Sequence, residues 1–429
     1  MFCHGYQSWS ESAWRTVGVE HDASRTDGAI PLVVDMHSGD PSIAAPFELR
    51  SELVTMLRGS ADDAPTVIGG SGTLHMIDGE LHGAERDYAS LDEWASHLGR
   101  AHQARTSAPY QVGWCSWYHY FDRVTENDIR RNLALADSWP FDVFQIDDGF
   151  QAAIGDWLTT NDKFSSTIDE LAATIAAAGR RPGLWIAPFL AAPDSMIATQ
   201  HPDWFATHSS GRRLVGNVND AWGGAVHVLD TTQPDVLAHL ETTARALVDA
   251  GFTYLKLDFT YAPGLAGTYH DTSQTPAQRV RAGFDAIRGG AGDGAFLLGC
   301  GAPLGPTIGV VDGMRIGPDV APWWEFPDGR WFPPGYRATS PSTAAALRAT
   351  EARQCMHRRL WLNDPDCVML RTTETDLTPD EVRRWAMAVG DSGGMVLVSD
   401  DLALLDSNAR ALLDDVIARG REVDASIVS

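Results

Sequence analysis

The sequence predicts an α/β protein built on a (β/α)8 TIM barrel, and three observations predict it. From Tyr110 onward, short apolar runs alternate with amphipathic helical stretches. The runs are continuously apolar rather than alternating, as in parallel strands buried on both faces. Eight of them fall within about 290 residues, the length of one such barrel. A doubly wound sheet is the alternative, but it rarely needs eight strands with this regularity.

The strand candidates, in order, are YQVGWCSW (110–117), DVFQIDDG (142–149), RPGLWIAPF (181–189), FTYLKLDF (252–259), AFLLGC (295–300), VDGMRIG (311–317), RRLWLND (358–364) and GMVLVS (394–399). Between them lie helix candidates: ENDIRRNLALADS, TIDELAATIAAAG, PDVLAHLETTARALVDAG, PAQRVRAGFDAIRGG, STAAALRATEARQCMH and TPDEVRRWAMAVGD. Thr167 and Thr378 precede acidic first turns, and Gly179 and Gly251 sit just past helix ends, as N-caps and C-terminal glycines should. The third unit is swollen by the stretch 191–250, and CGAPLGPTIGV leaves the fifth no room for a full helix.

Before the barrel, PFELRSELVTML and TLHMIDGELHG read as antiparallel strands cut by Gly, Asp and Pro. Leu91, Trp94, Ala95 and Leu98 then recur at helical spacing. The expected organisation is a partial, β-rich domain over 1–86, a linker helix over 87–109, the catalytic barrel over 110–400 and a short helical tail over 401–429. No solenoid repeat and no low-complexity tract interrupts it.

Composition narrows the function. The chain has 429 residues, 44% hydrophobic, and a formal net charge of −24. That hydrophobic content supports a large core and excludes disorder, and so acidic a surface repels phosphate backbones, which argues against a nucleic-acid partner. Trp is as frequent as Phe, at 15 each. Most such rings belong in a core, but flat faces in this number also suit a ligand with apolar faces and polar edges, such as a sugar. The five cysteines are odd in number and lack a CxxC pair, so neither a disulfide framework nor a structural zinc site is expected. Cys3, Cys355 and Cys367 read as ordinary buried or edge thiols. The start MFCHGYQSWS has no basic or apolar leader pattern, and no apolar run is long enough for a membrane span. The expectation is a cytoplasmic protein without a membrane partner.

A barrel of this kind carries its chemistry at the C-terminal ends of the strands. Those ends bring Trp114, Ser116 and Trp117; Asp147 and Asp148; Trp185 and Pro188; Lys256 and Asp258; Cys300; Arg315 and Asp319; Asp364 and Asp366; and Ser399 and Asp400. There is no phosphate loop and no HExxH. Lys256 and Asp258, two apart on a strand, point to one face, and a nearby ammonium keeps a carboxylate ionised, as a nucleophile requires. Asp319, in RIGPD ahead of Trp323 and Trp324, is expected to have its pKa raised by apolar rings, as a general acid requires. Two carboxyl groups in opposed surroundings are what glycoside hydrolysis needs. The plainer alternatives are a barrel-lining salt bridge for Asp258 and a surface turn for Asp319. A rival reading has Asp147, Asp148, Asp258, Asp319 and Asp366 binding Mg²⁺ or Ca²⁺. Against it, successive side chains of the Asp147–Asp148 pair diverge, and no His follows at ligand spacing. His119, near the mouth, reads as a structural histidine.

The motifs GWCSWYHYFD, FQIDDGFQ, GDWL, GLWIAPF, HPDW, LKLDF, LLGCGAPLGPTIGVVDGMRIGPD and LWLNDPDC occur in this order. In that order they closely resemble the bacterial, melibiase-like α-galactosidases of glycoside hydrolase family 36. The resemblance runs from about Tyr110 to Asp400, and GYQSWS near the start is similar to part of that family's N-terminal β-domain. It implies a retaining, metal-free double displacement on terminal α-linked galactose of melibiose- or raffinose-type oligosaccharides, with no cofactor. It further implies Asp258 as nucleophile and Asp319 as acid/base. Asp147 and Asp148 would bind the galactose O4 and O6 hydroxyls, Lys256 a ring hydroxyl, and Cys300 and Arg315 would sit around O2. Trp185, Trp117 and Tyr118 would line the pocket, joined by Trp9 from the N-terminal segment. The alternatives are a related α-N-acetylgalactosaminidase or galactosyl transferase, and a non-catalytic sugar-binding remnant. Two departures stand out: the family's N-terminal sandwich is usually far longer than the stretch before this barrel, and its C-terminal β-domain has no room after Ser399. The flanks are expected to be either a compact natural form or a shortened one. An incomplete β-domain could be covered by a neighbouring subunit, so a homo-oligomer is allowed.

Overall fold

The computed structural model describes residues 2–3, 7–10, 12–14, 53–57, 66–70, 75–77, 80–82, 86–88, 91–327 and 340–428. At the N-terminus, β1 (Phe2–Cys3), β2 (Ala13–Trp14), β3 (Leu53–Leu57), β4 (Thr66–Gly70) and β7 (Arg86–Tyr88) form a five-stranded sheet of order β2-β1-β3-β4-β7. Its ladders are antiparallel, and β5 (His75–Ile77) and β6 (Glu80–His82) pair as a separate hairpin. Residues 46–52 of the PFELRSELVTML stretch lie outside the described residues. Helix α1 covers Leu91–Ala101, shorter than the expected 87–109. It stops because Gln103 turns left-handed (φ +54) and the Ala104 N–H returns to Gly99 O at 2.8 Å, a helix-ending pattern.

The barrel follows in the expected order. Its parts are β8 (Val112–Cys115), α2 (Trp117–Tyr120), α3 (Glu126–Leu135), β9 (Val143–Ile146), α4 (Ile168–Ala177) and β10 (Arg181–Ile186). An insertion then supplies β11 (Leu190–Ala191), α5 (Met196–Gln200), β12 (Val215–Asn219) and β13 (Gly224–Val228). Next come α6 (Pro234–Asp249), β14 (Tyr254–Leu257), α7 (Pro276–Ala291), β15 (Phe296–Gly299), the single turn α8 (Leu304–Thr307) and β16 (Gly313–Arg315). The chain finishes with α9 (Thr343–Ala352), β17 (Leu362–Asp364), α10 (Pro379–Ser392), β18 (Val396–Val398) and α11 (Ser407–Val428).

All eight apolar runs contain a strand, and their sheet has the order β17-β16-β15-β14-β10-β9-β8-β18 with parallel pairs. The ring closes between β17 and β18 by backbone bonds, Met395 N–H to Asn363 O (2.9 Å) and Val368 N–H to Leu397 O (2.7 Å). The outer helices bury one face each: Val236, Leu240, Ala244 and Leu247 of α6, and Val280, Phe284 and Ile287 of α7, recur at the helical repeat. The N-cap expected at Thr378 is present, its hydroxyl accepting from the Glu381 N–H at 3.3 Å. The insertion is a three-stranded sheet, β11-β13-β12. The C-terminal helix α11 is fastened by Asp424, which meets His357 Nε2 (2.8 Å) and Arg358 Nε (2.6 Å). Among the described residues no helix is long and apolar enough to cross a membrane.

Candidate active site

Asp258 stands one residue past β14, at the barrel mouth. Strand β14 places Lys256 on the same face, and parallel register sets Lys256 opposite Trp185 of β10. Lys256 Nζ lies 3.0 Å from Asp147 Oδ2 and 3.7 Å from Asp258 Oδ2, so the cation sits between two carboxylates and nearer the one on β9's end. Burial alone would lower its pKa, but the charges of Asp147 and Asp258 raise it well above the ordinary value. Two fixed donors aim at Asp258: Trp185 Nε1 at 2.9 Å from Oδ2, and the Phe259 N–H at 2.8 Å from Oδ1. Phe259 takes a left-handed φ of +52, uncommon for a bulky side chain and a mark of local strain.

The adjacent aspartates do diverge. Asp147 Oδ2 accepts from Gln145 Nε2 (2.5 Å) and Lys256. Asp148 turns the other way, accepting from Gln151 Nε2 on Oδ1 and from Trp222 Nε1 on Oδ2, both at 2.7 Å. Burial pushes the Asp148 carboxyl up to about 6 despite these two bonds, with the charges of Asp147 and Asp258 adding to the effect.

On the opposite side, Arg315 of β16 is buried among three carboxylates. It lies 3.1 Å from Asp364, 2.9 Å from Asp366 and 3.2 Å from Asp319. Asp319 is set deep in the fold yet wet, with 35% of its side chain exposed, as at the floor of a cleft. Burial raises its pKa; Arg315 opposes the rise and the Asp258 charge reinforces it. Of the two rings that follow in sequence, Trp323 donates through Nε1 to Pro341 O, and Trp324 lies under Arg384. Tyr118 is buried, and its hydroxyl donates to Asp366 and meets Asp319. Burial, with the nearby Asp258 charge, raises the Cys300 thiol well above its usual value.

Trp9 reaches the same mouth. It packs edge-on against Phe259 (5.2 Å) and Tyr261 (6.1 Å). Its turn docks on the barrel through Ser8 N–H to Ala302 O (2.9 Å) and through Arg353 at the end of α9. The fully buried Arg353 guanidinium donates to the carbonyls of Gln7, Ser8, Ser10 and Ile316 and to Ser12 Oγ. Gly301, at φ +54, lets the Trp9 ring pass; a Cβ there would stand 2.9 Å from it. Trp117 is half-buried and packs on Phe121 at 5.3 Å.

Some expected mouth residues are structural. Trp114 stacks on Phe144 (4.3 Å) and donates to Asp400 O, Asp400 pairs with Arg371 (2.6 Å), and Ser399 Oγ ties the Tyr118 N–H to Cys115 O. His119 packs edge-on against Tyr120, and burial lowers its pKa. Cys115, Cys300, Cys355 and Cys367 are free thiols; the side chain of Cys3 lies outside the described residues. Among the described residues no three His, Cys, Asp or Glu side chains are arranged to hold a metal ion. Lys256 and Arg315 stand between the carboxylates that the metal reading required. Sequence reasoning missed Trp222, Phe259 and Arg353. Only the abundance of Trp hinted at the first, and nothing local signals the other two.

A barrel mouth with carboxyl groups held in such unlike surroundings is that of a glycoside hydrolase. The melibiase family model matches residues 97–281. The α-galactosidase TtGalA of Thermus thermophilus, solved with p-nitrophenyl α-D-galactopyranoside, is 32% identical with a TM-score of 0.76, over 98% of this chain and 86% of that one. The same enzyme has also been solved with stachyose. The chain belongs to the melibiase family of α-galactosidases. The α-galactosidase AgaA of Geobacillus stearothermophilus is 28% identical over 188 residues, which span 42% of this chain but only 24% of that protein. Its crystal structure shares the fold at a TM-score of 0.58 and 14% identity.

Proposed function

We propose that the protein is a retaining exo-α-galactosidase that removes terminal α-linked galactose from small oligosaccharides such as melibiose or raffinose. The observation that carries this reading is the contrast between two carboxyl groups at one mouth. Asp258 is met by an ammonium, an indole N–H and a backbone N–H, which hold its two oxygens in place. Asp319 has its pKa raised by burial, which favours the acid.

In the first step an Asp258 oxygen attacks C1 from the β face while the C1–O bond to the aglycone breaks and Asp319 gives its proton to the leaving oxygen. The result is a β-galactosyl ester. In the second step water loses a proton to Asp319 and attacks C1 from the α face, releasing Asp258 and restoring the α configuration. Lys256, shared by Asp147 and Asp258, fixes both at the ring. Asp148, when ionised, accepts from sugar hydroxyls, and Trp9 and Trp185 wall the pocket. The aryl galactoside and stachyose complexes of the Thermus relative support an α-galactoside substrate.

Azide tests the roles, because it enters from whichever face the missing carboxyl has vacated. Asp258→Gly should lose turnover of nitrophenyl α-galactoside and, with azide, yield β-galactosyl azide. Asp319→Gly with azide should yield the α anomer. The reversed pair of products would overturn the assignment. A panel of nitrophenyl glycosides on the wild type tests the sugar, and a preference for the N-acetylgalactosaminide would overturn that part.

A further inference from the structure

The mouth holds a carboxyl that the proposed steps do not use. Asp366, two residues past β17, is fully buried and adopts φ +99, a left-handed conformation that the surrounding structure must impose. Four donors face it. Oδ1 accepts from the Cys367 N–H (2.7 Å). Oδ2 accepts from the Val320 N–H (2.9 Å), from Arg315 Nη1 (2.9 Å) and from the Tyr118 hydroxyl. Three of these lead to one place. Val320 is the residue after Asp319, Arg315 Nη1 also reaches Asp319 Oδ1 at 3.2 Å, and Tyr118 also meets the Asp319 carboxyl.

We infer that Asp366 is a positioning residue for the acid/base carboxyl: it holds the Asp319 turn through Val320 and draws Arg315 away, so that Asp319 keeps its proton. The inference rests on Asp319 being the acid/base. Its physical core is competition for one guanidinium. An arginine facing Asp319 alone would hold it ionised and unable to donate. Here Asp364 takes Arg315 Nε, and Asp366 shares Nη1. Asp366 also adds a like charge beside Asp319, which disfavours a second anion; the two titrate as a pair. Among the described residues, the charged groups facing the pair are Arg315 of β16, Asp364 of β17, and Asp258 and Lys256 at the end of β14; the uncharged titratable ones are Tyr118, Cys300 and Cys367. Burial pushes Asp366 up to about 7; Arg315 opposes the rise, and the charges of Asp319 and Asp364 add to it.

The test is Asp366→Asn, which suits the left-handed backbone and removes the charge. Loss of the charge frees Arg315 for Asp319, so the alkaline limb of kcat/KM should move to lower pH. At neutral pH, kcat/KM for raffinose should fall about tenfold further than that for nitrophenyl α-galactoside, whose leaving group needs little help from an acid. Equal losses on both substrates with an unmoved limb would overturn the inference and leave Asp366 a purely structural residue. Thermal unfolding and galactose binding by calorimetry report whether the variant folds. If it does not, Tyr118→Phe serves: it deletes a donor that favours both anions, so the limb should move to higher pH, and an unmoved limb again overturns the inference. Asp319→Asn separates the two readings. If it lowers kcat/KM, which reports the first step alone, equally for both substrates, the acid/base assignment is wrong. If it spares kcat/KM of the nitrophenyl substrate while Asp366→Asn leaves the limb in place, only the role given to Asp366 falls.

Discussion

Arg353→Met should act on substrate binding from outside the mouth, and the structure says by how much. The guanidinium serves four backbone carbonyls and the hydroxyls of Ser10 and Ser12. A buried acceptor left without a donor costs about 1–3 kcal/mol. Three of the carbonyls belong to the Gln7–Ser10 turn, so keeping that turn docked without Arg353 would cost at least about 3 kcal/mol. Undocking it costs less, because water then satisfies those carbonyls and the direct bonds given up are few, chiefly those between Ser8 and Ala302. The turn should therefore lift, taking Trp9 from Phe259. One lost indole–sugar contact of about 1.4 kcal/mol raises KM about tenfold. Because Trp9 touches neither reacting oxygen, kcat should change less than about threefold. The assay is a double-mutant cycle on nitrophenyl α-galactoside with Arg353→Met, Trp9→Ala and both together. If Arg353 acts through Trp9, the double variant matches either single one. A KM rise of about a hundredfold in the double variant, the product of two independent tenfold effects, would refute the reasoning. Gly301→Ala, which crowds the ring directly, should reproduce the same KM rise with Arg353 intact.

Asp148 should trade stability for binding. Its folded pKa of about 6 lies above the usual 3.8, so the native state is fully favoured below about pH 4 and loses stability as pH rises through 6, by roughly 3 kcal/mol for about 2 units. Asp148→Asn removes that loss but leaves Gln151 or Trp222 one acceptor short, at about 1 kcal/mol. Urea unfolding should show a gain of up to about 2 kcal/mol at pH 7.5, no gain at pH 4, and a KM raised more than about tenfold. Trp222→Phe deletes the indole bond that favours the Asp148 anion. The acid limb of kcat/KM should shift to higher pH, with KM up about threefold to tenfold. Lys256→Met leaves Asp147 and Asp258 facing each other without their cation. Turnover should fall at least a hundredfold and the protein should lose about 3 kcal/mol in the same unfolding assay.

The barrel was legible because each strand is buried on both faces and so is written as an unbroken apolar run; register and closure then follow from the geometry of eight such strands. Lys256, Asp258, Asp147 and Asp148 were legible for the same reason, since a strand end fixes where its side chain points. The reading fell short where no local pattern carries the signal. Helix α1 was read too long because it ends at a left-handed turn at Gln103, a backbone conformation that no hydrophobic pattern records. Arg353 and Trp222 could not be placed at all. Their partners lie 346 residues away at Gln7 and 74 away at Asp148, and only the folded chain brings them together.

Phe259 shows why the parts outside the barrel matter to the chemistry inside it. The residue follows the proposed nucleophile, and from a left-handed backbone conformation its N–H donates to Asp258. A lone aromatic residue would relax out of that conformation unless packing held it. Trp9 of the N-terminal turn meets its ring edge-on at 5.2 Å, and Trp222 of the insertion at 4.9 Å. Tyr261 stands 6.3 Å away, with its hydroxyl bonded to Gly216 O of the insertion. Two segments that the barrel does not need for closure thus clamp one side chain, and through its backbone they aim a donor at the carboxylate. An undocked N-terminal turn therefore loosens the Asp258 environment as well as the sugar wall. A small fall in kcat should accompany the KM rise of Arg353→Met and be absent from changes at the far rim, such as Trp117→Phe.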